Sequence, residues 1–180
     1  MENETYSEMV TRLKKPGADI LKDMDAFKAN LVHMVLGVIG EYGEVERAYR
    51  AWQNNYKGTS VSKSILAAAL IKELGDLEFY LEGLRQILRA NAFYFKTQEP
   101  KGINNLAEIA KKVLATNKPV DKGIICAEIE VIDQYMLDIR SDLGITLEDV
   151  LKVNMNKLND RFGSGQYSDK QAIERADEYE

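Results

Sequence analysis

Cysteine and histidine are almost absent from this chain of 180 residues, which contains one of each, Cys126 and His33. A single cysteine excludes an internal disulfide and is typical of a protein kept in a reducing cytosol. Cys126 stands between Ile125 and Ala127, so we expect a buried, inert thiol rather than a nucleophile. A lone histidine without a cysteine nearby gives no signal for a zinc site.

Long apolar runs are also missing, since no segment approaches the roughly 20 apolar residues that cross a bilayer. The first residues, Met1-Glu2-Asn3-Glu4, are acidic and lack the apolar region of a signal peptide. We therefore expect a cytoplasmic protein with no membrane partner. An excess of basic residues is absent too, because the formal net charge is −5. This balance argues against broad nucleic-acid binding but not against a phosphorylated small molecule, since bound cations reverse the local field.

Proline and strand-like alternation are scarce, with three prolines in the whole chain, and a helical period of hydrophobic residues dominates. We therefore predict an all-α fold in one domain. The pattern predicts a short helix before Pro16, and another from near Asp19 that runs, with a bend, into a long helix. The remaining predicted helices are the long one at about 30–53, then 62–90, a shorter one around Leu106–Leu114, one around Ile125–Leu143, one from Thr146 to about Phe162, and a last short one after Ser168.

Two acidic pairs stand on the two longest predicted helices: Glu41 with Glu44, and Glu73 with Asp76. A gap of three residues places both acids of a pair on one helix face. Each acid precedes a residue of its helix's apolar seam, so the two pairs fall on the same side if the helices pack antiparallel. The turn-rich residues 54–60 between the helices favour that arrangement. We therefore expect four carboxylates to converge into a site for a hard divalent cation such as Mg²⁺.

Other side chains are weaker candidates for chemistry. His33 lies on the same helical line as Glu44, and Gly37 and Gly40 on that line indicate either tight helix packing or a substrate-facing groove. Tyr80 follows Asp76 by one turn and can line the same pocket. Three further candidates share one face of a later helix: Asn154, Lys157 and Arg161. Their side chains suit phosphate oxygens, although a solvent-exposed helix face explains the pattern as well.

Two further groups on the acidic helices have plainer explanations. Tyr49, Trp52 and Tyr56 cluster near the link and are expected in the core rather than stacked on a nucleobase. The additional acids on these helices are assigned to solvent: Glu46, Glu78 and Glu82.

Several familiar signatures are missing. The chain has no P-loop, no Gly-x-Gly-x-x-Gly fingerprint and no Gly-x-Ser-x-Gly elbow. These absences remove support for P-loop and Rossmann nucleotide-binding folds and for the elbow of α/β-hydrolases.

The segments Gly40-Glu41-Tyr42-Gly43-Glu44 and Glu73-Leu74-Gly75-Asp76-Leu77 closely resemble the MazG-like all-α nucleoside triphosphate pyrophosphohydrolases, whose pattern is Glu-x-x-Glu, a variable gap, then Glu-x-x-Asp. Leu143-Gly144-Ile145-Thr146-Leu147-Glu148-Asp149-Val150 and the residues that follow it resemble the phage and bacterial short forms of that superfamily. The resemblance covers about 30–90 and 142–177. It implies a single MazG-like helical domain with a core at 18–90 and 142–177.

By this resemblance, Glu41, Glu44, Glu73 and Asp76 hold Mg²⁺, with Mn²⁺ as a substitute, and Glu44 is the candidate general base. The substrate-binding candidates become His33, Tyr80, Asn154, Lys157 and Arg161. The implied reaction is hydrolysis of a (deoxy)nucleoside triphosphate between its α and β phosphates, in control of the nucleotide pool. A homodimer or a dimer of dimers is also implied.

This sequence departs from the pattern in two places. Compact members lack the insertion at about 91–140, which is expected to carry two helices that either cover the pocket or form a subunit interface; the long isoleucine seam favours the interface. Lys72 stands where many members have another glutamate.

Alternative functions remain open. A catalytically idle helical scaffold that binds partners predicts no turnover of any nucleotide. Within the enzyme class, a guanosine alarmone or phosphoribosyl-ATP substrate is the alternative to an ordinary nucleoside triphosphate.

Overall fold

A computed structural model of the chain describes residues 5–55, 62–88, 101–116, 118–163 and 165–174. Within these residues every regular element is a helix, which confirms the predicted all-α class. The helices are α1 (Tyr6–Leu13), α2 (Gly17–Asp23), α3 (Ala26–Asn54), α4 (Lys63–Leu88), α5 (Ile103–Thr116), α6 (Lys122–Leu143), α7 (Leu147–Arg161) and α8 (Asp169–Glu174). No helix of this described part is both long and apolar enough to cross a membrane.

The centre of the fold is the pair of long helices α3 and α4, which pack along their predicted seams. Contacts pair Met34 with Gly83 and Gly37 with Tyr80, so the chain directions are opposite. This confirms the antiparallel arrangement predicted for the acidic helices. The core that they share is made of fully buried aliphatic residues, among them Leu31, Val35, Val38, Val45, Leu70, Leu74, Leu77, Leu81 and Leu84.

Helix α6 runs parallel to α3 and antiparallel to α4. Tyr135 of α6 packs on Tyr42 of α3, while Arg85 of α4 reaches Asp133 of α6. The isoleucine seam of α6 is buried in this chain's own core: Ile125, Ile129, Ile132, Met136 and Ile139. The seam itself is therefore not free for a second subunit, because α3, α4 and α5 of the same chain supply the apolar surface that covers it. The subunit interface expected of this segment stays a prediction.

Helix α5 is held at its N-terminus by Glu128 of α6, a carboxylate that is only 1% exposed. One oxygen of Glu128 accepts hydrogen bonds from the backbone N–H groups of Lys101 (2.6 Å) and Gly102, and the other accepts from Asn105 Nδ2 at 2.6 Å. Gly102 has a positive φ of 64°, which favours glycine and turns successive N–H groups toward one acceptor. These charge-assisted bonds satisfy backbone donors that a helix N-terminus otherwise leaves unpaired.

Helix α7 begins where its sequence predicts. Gly144 ends α6 in the left-handed conformation at φ 67°, and Thr146 and Asp149 form a capping box at the start of α7. The buried side of α7 consists of Val150 and Asn154, and the helix packs against α4. Because these contacts fix the start of α7, the side chains one turn further along the helix point in defined directions.

The N-terminal region is more divided than the sequence predicts. The short helix before Pro16 is present as α1, with a Thr5–Glu8 capping box. The continuous helix expected from Asp19 is instead interrupted, because α2 ends at Asp23 and Asp25 caps the start of α3 by accepting from the N–H of Lys28. Other predictions fall outside the described residues, including the turn-rich link after Asn55, the second acidic helix beyond Leu88 and the break at Pro100.

Candidate metal centre

Three acidic side chains from the two central helices come together: Glu41 of α3, and Glu73 and Asp76 of α4. One carboxylate oxygen of each lies within 4.8 Å of the others, and all three side chains are partly buried. The antiparallel packing of α3 and α4 brings them together. Gly37 of α3 contacts Tyr80 of α4. Glu41 follows Gly37 by about one helical turn and Asp76 precedes Tyr80 by about one turn, so the two acids lie at the same level. Three oxygens at this spacing suit a hard cation, which takes carboxylate ligands.

Glu44 lies outside this group of three, although the sequence predicts it as a fourth ligand. Its Oε1 forms an ion pair with Arg47 Nη2 at 2.8 Å, and the side chains of Glu44 and Arg47 are 49% and 74% exposed. The negative charge of Glu44 is still felt at the cluster, because it contributes to raising the pKa of both Glu41 and Glu73. Glu44 therefore borders the site without joining the three oxygens.

Glu41 and Glu73 hold their protons more tightly than free carboxyl groups do, because their pKa values are raised. Partial burial and then the charges of Asp76 and Glu73 raise the pKa of Glu41 to about 6. The pKa of Glu73 is raised as well, by burial first and by Asp76 second. Each additional negative charge is costly here, which is the electrostatic condition that a bound cation relieves.

Asp76 also receives two donors from α7. Its Oδ1 accepts from Asn154 Nδ2 at 2.9 Å, and its Oδ2 from Lys157 Nζ at 2.5 Å. Gly75 makes this approach possible, since a Cβ on Gly75 would lie 2.7 Å from the Asn154 Cβ. Two residues predicted to contact phosphate are thus brought to the acidic cluster by direct bonds to one of its members.

The other three residues predicted to bind the substrate are His33, Tyr80 and Arg161. The ring of Tyr80 lies on Gly37, where an added Cβ would be 2.1 Å from the ring, so tight packing accounts for this glycine. His33 is exposed and meets Tyr80 edge to face, with ring centroids 6.1 Å apart. Arg161 is the last residue of α7, one turn beyond Lys157, and is partly buried. Gly40 has open space around its Cβ position.

Glu78 corrects the assignment of the remaining acids to solvent, because it is only 8% exposed. Its Oε1 accepts from Arg85 Nη1 at 2.7 Å, and Arg85 Nη2 donates to Asp133 Oδ1 of α6 at 2.5 Å. A guanidinium that bridges the two acids makes the burial of Glu78 tolerable and ties α4 to α6. The seven-residue spacing between Glu78 and Arg85, two helical turns, is the sequence signal that could have indicated this contact.

Two of the three aromatic residues near the link, all predicted to be in the core, are partly buried and pack against it. Tyr49 and Trp52 stack at 6.0 Å and pack against the hydrophobic core, and the Tyr49 hydroxyl donates to Asp142 of α6. Tyr56 lies outside the described residues. Cys126 is partly rather than fully buried.

Comparison of the chain with protein-family models, with curated proteins and with solved structures gives no match. The cluster of carboxylates and its contacts with α7 are therefore the observations on which a function can be argued.

Proposed function

We propose that this protein is a Mg²⁺-dependent pyrophosphohydrolase of (deoxy)nucleoside triphosphates, of the MazG-like type that its acidic motifs resemble. Water and the triphosphate give a nucleoside monophosphate and pyrophosphate by cleavage of the bond to the α phosphorus. The observation that carries the proposal is the group of three oxygens from Glu41, Glu73 and Asp76 within 4.8 Å of one another.

The donor set fits Mg²⁺ or Mn²⁺, because both prefer carboxylate oxygens and the residues here offer three. Bound at these carboxylates, the cation supplies neutralisation of phosphate charge and a lowered pKa for a bound water. The chain's own contribution is to hold the three acids on two tightly packed helices, so that their positions are set before any ligand arrives.

Lys157 and Asn154 suit the phosphate end of the substrate. Both are already hydrogen-bonded at Asp76 and so lie at the rim of the cluster. An ammonium and an amide N–H₂ group donate to phosphate oxygens as readily as to a carboxylate. When the substrate binds, Lys157 and Asn154 would transfer their hydrogen bonds from Asp76 to phosphate oxygens. This transfer would keep the charge at the cluster balanced.

Glu44 is the residue assigned to proton acceptance. A general base must keep a carboxylate available, and Glu44 is exposed and paired only with Arg47 among the described residues. An ion pair this exposed contributes little stability, so it yields readily to a water molecule. Glu44→Gln should therefore lower kcat by about 100-fold or more with a small change in KM.

The experiment is a pyrophosphate-release screen over common and modified nucleoside triphosphates, with Mg²⁺ and with EDTA. Glu41→Gln, Glu73→Gln and Asp76→Asn should each lose activity while retaining the helical circular dichroism signal. Glu46→Gln is the matched control, because Glu46 also lies on α3 but pairs with Arg50 and is not one of the three clustered acids. A folded wild-type protein that releases no pyrophosphate from any substrate with Mg²⁺ would reject the enzyme in favour of a helical scaffold.

The assembly implied by the resemblance, a homodimer or a dimer of dimers, is part of this proposal. Large apolar side chains remain exposed on several helices, including Leu36 (58%) and Met155 (62%). Sedimentation of the purified protein across a range of concentrations tests the assembly, and a monomer at every concentration contradicts it.

A further inference from the structure

The carboxylate cluster already holds one positive charge, the ammonium of Lys157. Its Nζ lies 2.5 Å from Asp76 Oδ2, and the two side chains are only 20% and 21% exposed. Asp76 is also one of the three acids whose oxygens lie within 4.8 Å of one another. One carboxylate thus serves both as the partner of Lys157 and as a ligand of the proposed cation.

The charge of Lys157 acts on the whole cluster and not on Asp76 alone. Burial and the neighbouring acids raise the pKa of Glu41 and of Glu73, and the ammonium acts against both causes, since it lowers each pKa. Carboxylates of like charge are costly to bring together, and a nearby cation offsets part of that cost. Lys157 therefore supplies some of the neutralisation that a bound divalent cation supplies more fully.

The two donors that α7 brings to Asp76 differ in charge and in freedom. Asn154 donates to Oδ1 through a neutral amide, is only 6% exposed, and packs closely on Gly75. An amide adds no positive charge, so it does not repel a cation on the same carboxylate. Lys157 carries a full charge at the end of a flexible four-carbon stem, so its ammonium repels such a cation and can also swing away from it.

We propose that Lys157 competes with the divalent cation for Asp76 and thereby couples metal binding to phosphate binding. Two positive charges on one carboxylate repel each other, so the cation binds best once Nζ has left Oδ2. The phosphate end of a nucleotide offers oxygen acceptors to the released ammonium. Metal and phosphate therefore favour the same displacement, and because such coupling is reciprocal, each raises the affinity for the other. This inference rests on the proposed function for the metal and the phosphate.

The consequence is a site that favours metal and nucleotide together over the free metal. Without phosphate, Lys157 lowers the affinity of the cluster for a divalent cation; with phosphate, the same side chain is a donor to the substrate. A lysine that only fastened α7 to α4 would have the opposite effect. Its removal would loosen the cluster and weaken metal binding, so the sign of the change in metal affinity separates the two roles.

The first experiment measures Mn²⁺ binding by the full chain without nucleotide, through the electron paramagnetic resonance signal of the free ion. Lys157→Met should bind Mn²⁺ more tightly than the wild type, by about tenfold or more, because one nearby charge changes the proton affinity of a carboxylate by about that factor. Lys152→Met is the matched control, since Lys152 is an exposed lysine on the same helix, and its Mn²⁺ affinity should be that of the wild type. Both variants should retain the helical circular dichroism signal.

The second experiment follows Lys157 in the wild-type protein. Reductive methylation, read by peptide mass spectrometry, reports how accessible each ammonium is. With Mg²⁺ in place of EDTA, at equal ionic strength, Lys157 should be labelled severalfold faster, whereas Lys152 should be labelled at an unchanged rate. In Asp76→Asn, which removes the shared negative charge, labelling of Lys157 should no longer respond to Mg²⁺.

Equal or weaker Mn²⁺ binding by Lys157→Met, or a Lys157 labelling rate that Mg²⁺ leaves unchanged, would overturn the competition. Pyrophosphate release by the wild type together with either result would leave the hydrolase standing. Tighter Mn²⁺ binding by Lys157→Met, when the wild type hydrolyses no nucleotide, would support the competition and reject the hydrolase. An absence of Mn²⁺ binding in both proteins would reject both.

Discussion

Lys157 is the one ammonium directly bonded to the carboxylate cluster among the described residues, and Asp76 depends on it for a balancing charge. The two side chains are 20% and 21% exposed, so their pair is partly shielded from water. Lys157→Met keeps most of the side-chain volume and removes the charge. In EDTA it should lower the free energy of unfolding by about 1.5–3 kcal/mol, the range for hydrogen bonds to charged groups.

Urea unfolding with and without Mg²⁺ measures this effect, and Mg²⁺ should restore much of the loss by neutralising Asp76. Lys152→Met is the matched control, since Lys152 lies on α7 but is exposed. Equal losses in the two variants would show that helix α7, and not the charge at the cluster, is affected.

Glu41 provides a prediction about pH. Its pKa is raised to about 6 in the folded chain, from an ordinary value of 4.5. The folded state therefore binds the proton more tightly than the unfolded state, and stability falls as pH rises from about 4.5 to 6. Above pH 6 the full cost of the charge is present, so Glu41→Gln should stabilise the metal-free protein there by about 1 kcal/mol, after allowance for solvent screening.

Thermal unfolding in EDTA at pH 4 and at pH 7.5 distinguishes the electrostatic stabilisation by Glu41→Gln from a change in stability that does not depend on pH. The gain should vanish at pH 4, where Glu41 is protonated in both states. Glu46→Gln should show no such difference, and a gain for Glu41→Gln that is independent of pH would contradict the electrostatic explanation.

The sequence predicts the three acids that meet in the cluster but not the details around them. Glu41, Glu73 and Asp76 follow from the offset between acids and apolar seams, which is a property of helix geometry alone. The position of the Glu44 side chain depends on whether it joins the other three acids or pairs with Arg47, which lies one turn away. The period of the hydrophobic residues does not reveal this choice. Burial of Glu78 depends on Asp133, 55 residues later, because Arg85 needs that second acid.

At the scale of helices, the close approach of α3 and α4 depends on particular glycines. A methyl group at Gly37 would lie 2.1 Å from the Tyr80 ring, whereas Gly40, almost one turn later, has open space. Gly37→Ala should destabilise the protein by about 1–3 kcal/mol through overpacking. Gly40→Ala should stabilise it by up to about 1 kcal/mol, because alanine is the better helix former.

The two variants are controls for each other, as they make the same substitution on the same helix. Urea denaturation should therefore give changes of opposite sign. A stabilised Gly37→Ala protein would mean that Tyr80 moves aside without cost and that the helix spacing is not set there.

The pairing of helices was easier to predict than the role of the segment 91–140. The antiparallel register of α3 and α4 follows from their own seams, whereas the destination of the α6 seam requires knowing which apolar surface remains uncovered. Isoleucines at helical spacing look alike whether they face this chain or a second copy. Asp133, which accepts a hydrogen bond from Arg85 of α4, shows that the segment is also tied to the central helices by a specific polar contact.

At the scale of the whole molecule, a cation at the cluster would bridge the two central helices at the point where α7 packs on α4. Glu41 lies on α3, Glu73 and Asp76 lie on α4, and α7 reaches the same place through Lys157. A ligand that binds only the folded state stabilises it by mass action, by about 2.7 kcal/mol at one hundred times its dissociation constant.

Adding Mg²⁺ should therefore raise the midpoint of urea unfolding, and EDTA should reverse the change. Asp76→Asn should lose this response, while Glu46→Gln retains it. Sodium chloride at equal ionic strength separates binding from screening, since screening acts on all exposed charges alike. If the salt reproduces the full effect of Mg²⁺ in the wild type, the three carboxylates are an acidic patch and do not bind a metal.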